Sequence, residues 1–269
     1  MKKILGIIFL SLFLSGNAFS KHKITVQMYK DYNYGSDGSE NYKKLDKKLQ
    51  DSKLSKFVEK QLKNRNKTGL INYVLFENEK IIIDQNNYDE EIIRNSGLLR
   101  SNSMGKSLVS YVVGHGICKG YIDNVNVKLS DWEILNNTLY GDNTLLQILN
   151  MAAGDHKFVG QRNFGNNPVS SDGSIKGSKK NMIQKNSVAQ NMNLYFRGTK
   201  KKKKNSPYNY SAMATHVAIN YLISKFENAQ EYRKFLTEIF RDHVGVKDRV
   251  SFQKTSWSSA DFNEGNSRF

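Results

Sequence analysis

Ser103 and Lys106 stand three residues apart at the head of an apolar run, in Arg100-Ser101-Asn102-Ser103-Met104-Gly105-Lys106-Ser107. On a helix, side chains at i and i+3 share a face about 5–6 Å apart. That spacing sets the Lys106 amine beside the Ser103 hydroxyl. A serine hydroxyl is a weak nucleophile until a base takes its proton, and a lysine can do so when burial or nearby charge depresses its pKa. At a helix N-terminus the free backbone N–H groups and the dipole also favour the negative charge that develops in acyl transfer. The spacing alone says little, because Ser-x-x-Lys occurs three times: Ser20/Lys23, Ser103/Lys106 and Ser251/Lys254. Ser20 falls at a signal-cleavage point, and Ser251 has no helical apolar run behind it. Only Ser103 is followed by apolar residues at helical spacing, namely Leu108, Val109, Val112, Val113 and Ile117. The plainer alternative is a solvated Ser/Lys pair at an ordinary helix start.

Other chemistry is sparse. The single cysteine, Cys118, excludes an internal disulfide. Its place in the apolar run predicts a buried thiol that packs as a small hydrophobe. No set of His, Cys, Asp or Glu has metal-ligand spacing, so neither a metal nor a cofactor is expected. His115 comes twelve residues after Ser103, about 18 Å along a helix, and is too distant to be its base.

The chain's start reads as a secretory signal. Lys2 and Lys3 precede an apolar core at 4–14, and Ala18-Phe19-Ser20 is a small-residue cleavage site, so 1–20 is assigned as signal peptide. That core is too short for a membrane span of about 20 residues; a retained N-terminal anchor is the alternative. No later stretch is apolar enough to cross a bilayer. The expected location is therefore periplasmic or secreted. Lys and Arg number 41 against 25 Asp and Glu, a net charge of +16. The excess is mostly lysine spread along the chain, with no arginine-rich or aromatic-interleaved segment, so no nucleic-acid partner is expected. The five lysines at 200–204 read as a solvated loop, with a phosphate- or membrane-binding patch as the alternative.

Three kinds of element must position Ser103 and Lys106. Residues 21–56 are polar, with a flexible stretch at 34–39, and 43–63 reads as a charged amphipathic helix. A hairpin follows, with strands at 70–76 and 81–84 around a turn at 77–80. It is expected to belong to an antiparallel sheet packed on the helix after Ser103. A short helix runs from Asn143 or Thr144, as N-cap, to a stop at Gly154. Residues 156–180, rich in Gly, Asn and Ser, read as a long loop of the kind that walls an active site. Two more helical patterns occupy 211–227 and 229–244.

In this order the segments resemble the serine β-lactamase-like hydrolases: class C β-lactamases, penicillin-binding-like esterases and, most closely, 6-aminohexanoate-dimer hydrolases. The hairpin from Thr68-Gly69-Leu70 to Asp84 resembles the family's opening hairpin. Ser103-Met104-Gly105-Lys106-Ser107 resembles its nucleophile motif. Thr144-Leu145-Leu146-Gln147-Ile148-Leu149-Asn150-Met151-Ala152-Ala153-Gly154 resembles its Leu-Leu helix, and Tyr208-Asn209-Tyr210-Ser211-Ala212 its tyrosine motif. The likeness covers about residues 68–226.

The resemblance implies an α/β fold of the α+β type, with an antiparallel sheet flanked by helices and a helical subdomain. It divides the chain into signal peptide 1–20, N-terminal extension 21–66 and hydrolase domain 67–269. It implies acyl transfer on an amide, lactam or ester, with Ser103 as nucleophile, Lys106 as base and Tyr210 working beside it. Tyr208 is the rival, expected instead to pack as an aromatic beneath the site. Two departures stand out. Ala212 occupies a position where the family has Asn or Ser. The family's glycine-bearing third motif has no convincing counterpart, since Lys254-Thr255-Ser256 follows Tyr210 too closely. The family's last strands are therefore expected to be missing. A non-catalytic penicillin-binding-like protein that binds cell-wall peptide, and a basic surface-binding protein, are the readings from other classes.

Overall fold

The computed structural model describes residues 34–36, 38–42, 44–88, 102–161, 165–169, 196, 198–199 and 206–252. The signal segment, most of the 156–180 loop, the lysines at 200–204 and Lys254-Thr255-Ser256 lie outside the described residues. In chain order the elements are strand β1 (Tyr34–Gly35), helices α1 (Lys53–Lys63) and α2 (Arg65–Thr68), and strands β2 (Asn72–Glu77) and β3 (Lys80–Asn86). Helices α3 (Gly105–Cys118), α4 (Leu145–Leu149), α5 (Ala212–Ile223) and α6 (Ala229–Thr237) follow, and β4 (Ser251–Phe252) closes the series. The chain is thus a mixed α and β protein, and each described sheet is an antiparallel strand pair.

The described residues fall into two compact units, 44–88 and the remainder. In the first, β2 and β3 form the expected hairpin. Its turn is two residues long: Asn78 and Glu79 both take positive φ, 48° and 62°, the conformation whose twist matches that of the strands. The hairpin groups with α1, so a helix assigned to the N-terminal extension and a hairpin assigned to the hydrolase domain share one unit. The helix expected over 43–63 begins only at Lys53. Ser52 caps it by accepting the Ser55 N–H at 3.1 Å, one of the first-turn donors that no helical carbonyl can satisfy. Residues upstream run along β3 instead. Lys48 N–H donates to Ile81 O, Gln50 N–H to Ile82 O, and Ile81 N–H to Asp46 O, at 2.8–3.0 Å. The open edge of β3 offers those segments backbone partners, and this outcompetes helix propensity.

The second unit is built around α5. Every residue from Met213 to Ile223 is buried, as expected for a helix apolar on all sides. Helix α3 lays one face on it, that of Val109, Val112, Val113 and Gly116. Gly116 makes the crossing close: a Cβ there would lie 2.5 Å from Leu222 Cδ1. Helix α4 packs on α5 as well. It starts with a full capping box, Thr144 Oγ1 accepting from Gln147 N–H and the Gln147 side chain accepting from Thr144 N–H. It ends at Leu149, well before Gly154, because Met151 turns the chain with a positive φ of 52°. After α6 the helix widens into a π-helical turn, Glu238–His243.

Residues expected to be flexible at 34–39 are instead tied to the far end of the unit. β1 pairs with β4, Tyr34 opposite Phe252. Ser36 N–H donates to Val250 O at 2.9 Å, and Ser39 N–H to Lys247 O at 3.1 Å. Gly38 passes so near Lys247 that a Cβ would meet its carbonyl oxygen at 2.2 Å, which is why the glycine-rich composition here serves close approach and not looseness.

Candidate active site

Ser103 lies in a 3-10 turn, Asn102–Met104, that leads directly into α3. Lys106 is in the helix's first turn, so the spacing of three keeps both on one side of the chain. Met104, at the cap position, makes no side-chain cap bond, so it leaves the first-turn N–H groups to other acceptors. Ser103 is exposed. Among the described residues no hydrogen bond joins its hydroxyl to Lys106, whose amine lies against the Tyr210 ring. Catalytic hydrogen bonds of this kind commonly tighten only when substrate is bound.

Lys106 and Tyr210 come together across the helix pair. The Lys106 Nζ sits 5.1 Å from the centroid of the Tyr210 ring. Burial, the largest influence, holds the Lys106 pKa below the ordinary lysine value of 10.5, while the neighbouring Tyr210 acts against it. The net shift raises the fraction of neutral amine, the form a base requires. Tyr208 does not pack beneath the site as expected. It is 61% exposed, more than Tyr210 at 40%, and its ring lies 6.4 Å from that of Tyr210. Lys106 lies against the Tyr210 ring.

The reason both tyrosines face outward is the residue between them. Burial alternates along 208–211, with Tyr208 and Tyr210 exposed and Asn209 and Ser211 buried, the pattern of a chain whose successive side chains point to opposite sides. Asn209, 1% exposed, is the inward one. Its Nδ2 donates to Asp155 Oδ1 at 2.8 Å and to Val159 O at 3.1 Å. Its backbone N–H donates to Met151 O at 2.8 Å. The other Asp155 oxygen accepts from Tyr140 Oη at 2.9 Å. Burial raises the Asp155 pKa, partly countered by the Asn209 and Tyr140 hydrogen bonds. Burial likewise pushes the Tyr140 phenol well above its usual value, with the Asp155 carboxylate adding to the effect. Sequence reasoning missed Asn209, Asp155 and Tyr140. The alternation Tyr-Asn-Tyr ahead of a helix was the available signal, since one polar residue flanked by two aromatics in an extended run must face the other way.

Two more expectations change. Cys118 is exposed, not buried. At 100° per residue it lies nine residues, half a revolution, from Val109 and so opposite the buried face. His115 stands near the far end of α3, its ring 6.0 Å from that of His243, consistent with its exclusion from the site. Among the described residues no group of His, Cys, Asp and Glu could hold a metal ion, and no helix is long and apolar enough to cross a membrane. No protein-family model matches the chain, and no curated protein matches it in sequence.

Proposed function

We propose that the protein is an exported serine hydrolase of β-lactamase-like fold that cleaves amide or ester bonds through an acyl-enzyme on Ser103. The observation that carries this reading is the Lys106–Tyr210 pair, in which a lysine with a depressed pKa stands one turn from a serine and against a phenol. Lys106, as the free amine, takes the Ser103 hydroxyl proton while Oγ bonds to the substrate carbonyl carbon. The Ser103 backbone N–H supplies one donor to the developing oxyanion. The bond to the leaving group then breaks, and the leaving amine or alkoxide receives the proton, relayed by the Tyr210 hydroxyl. Water adds to the ester carbonyl, gives its proton to the same base, and Ser103 leaves protonated. A linear amide of the 6-aminohexanoate-dimer kind is favoured over a β-lactam, on the likeness of the motifs.

The test is the intact mass of the protein after exposure to a fluorophosphonate, beside a Ser103→Ala control. Attack by Ser103 forms a P–O bond and expels fluoride. One adduct, absent from the control, is the expected result. A folded protein that takes up no adduct overturns the hydrolase reading and leaves a protein that binds without acylation in its place.

A further inference from the structure

We propose that Asn209, Asp155 and Tyr140 form a buried clamp that aims Tyr210 at Lys106, making Asn209 a positioning residue of the acyl-transfer site; this rests on the hydrolase reading above. Asn209 donates three hydrogen bonds, to Asp155 Oδ1, Val159 O and Met151 O. Both carboxylate oxygens of Asp155 are engaged, one by Asn209 and one by Tyr140. The Asp155 backbone carbonyl accepts from the N–H groups of Phe158 and Val159 at 2.7 and 2.8 Å, so the acceptor is itself fixed. Tyr140 is fully buried, its ring 5.0 Å from Phe196 in an edge-on contact. A buried carboxylate is costly unless its lone pairs are satisfied. An apolar residue in each place would fill the same space without that cost. What the polar set adds is direction.

The direction is a register effect. In an extended segment, a shift of one residue exchanges the two faces. With Asn209 pinned inward, Tyr208 and Tyr210 must both face out, and Tyr210 alone continues into α5 opposite the first turn of α3. Met151 adopts a left-handed backbone, φ 52°, a conformation that strains a bulky residue, and its carbonyl receives the Asn209 N–H. Gly154, at φ 82°, follows, with Ser206 so close that a Cβ would meet its Oγ at 2.7 Å. The turn after α4 and the segment before α5 are thus fitted to one another at Asn209 and, upstream, at Ser206.

The experiment measures the rate of fluorophosphonate labelling at Ser103 in the full chain, for wild type, Asn209→Leu, Tyr140→Phe, Tyr210→Phe and the Asn209→Leu/Tyr210→Phe double variant. Asn209→Leu is expected to slow labelling about as much as Tyr210→Phe does, and to add less than about twofold in the Tyr210→Phe background, because residues acting through one group are not additive. Tyr140→Phe, which removes a single hydroxyl and keeps the packing, is expected to give a smaller slowing in the same direction. Wild-type rates in a folded Asn209→Leu, or an equal loss in both backgrounds, overturns the clamp. Should Asn209→Leu fail to fold, the Tyr140→Phe rate decides: no slowing there overturns the clamp. A second readout needs no turnover, namely the ratio of Tyr210 to Tyr208 nitration by tetranitromethane, mapped on peptides. That ratio is expected to shift in Asn209→Leu and Tyr140→Phe; an unchanged ratio overturns the clamp even if wild type takes no fluorophosphonate, an outcome that by itself would sink only the hydrolase reading.

Discussion

Helices α3 and α5 carry the two halves of the candidate site and are held in opposite ways. α5 is buried from Met213 to Ile223, and the segment feeding it is anchored by Asn209. α3 rests on one face only. Met104 is 72% exposed, Tyr111 43% and Leu108 37%, and the helix starts from a 3-10 turn without a side-chain cap. Tyr210 is therefore delivered by a fully buried element and Ser103, the proposed nucleophile, by one whose start is exposed and uncapped. Such a division suits a reaction in which one group must hold a position while the other passes through attack, acylation and release.

The largest effect should come from the lysine that joins the two helices. Lys106→Met is expected to reduce fluorophosphonate labelling of Ser103 by about 10²–10⁴-fold, the range of a positioned general base. The pH profile sharpens the point. Labelling needs the neutral amine, whose pKa lies below 10.5, so the wild-type rate should climb with pH and level off before 10.5. In Lys106→Met that titration should vanish. A profile that rises past 10.5 without a plateau would show that burial leaves the amine an ordinary lysine, and the contrast between the two helices would lose its chemical meaning.

The next effect tests the crossing that fixes α3 to α5. Gly116→Val places methyl groups where the Leu222 side chain already lies 2.5 Å from a Cβ position. Overpacking of this kind costs about 1–3 kcal/mol, read as a lower midpoint in urea unfolding. Leu222 is the flexible partner, so Leu222→Ala should restore part of the loss when combined with Gly116→Val. A Gly116→Val protein as stable as wild type would mean that α3 has slack along its buried face as well.

What could be read from the chain follows how far apart the partners are. The capping box of Thr144 and Gln147 spans three residues, and the 77–80 turn is bounded by its own strands, so both follow from local rules. The helical pairing of Ser103 with Lys106 is local too. Asn209 and Asp155 are 54 residues apart, and β1 meets β4 across most of the chain. Nothing in either segment alone announces its partner. The 44–51 stretch shows the converse: its composition suits a helix, but the β3 edge supplies hydrogen bonds that composition cannot express. Cys118 was readable by arithmetic alone, since apolar company along the sequence does not fix which side of a helix a residue takes.

The smallest effect concerns the far end of α3, where the exposed side acquires its own contact with the π-helical turn. His115 lies edge-on to Tyr111 at 4.7 Å and 6.0 Å from His243. Lys119 pairs with Glu238, and His243 Nε2 lies 3.6 Å from the same Glu238 oxygen. Burial first, then the His243 and Lys119 charges, lowers the His115 pKa below 6.5, with Glu238 acting against them. A folded-state pKa below the unfolded value means that the unfolded chain binds more protons in that window. The stabilising contribution is then complete above pH 6.5 and is lost as pH falls through 6.5 toward the folded pKa. Thermal unfolding midpoints taken from pH 7.5 to 5 should therefore fall more steeply in wild type than in His115→Gln. Because this contact braces α3 and does not touch α5, hydrogen-exchange protection, taken relative to the intrinsic rate at each pH, should fall in α3 over the same pH range while the 213–223 amides stay protected. An equal fall in both helices would mean that they open as one unit, and the different ways in which they are held would then have no bearing on their motion.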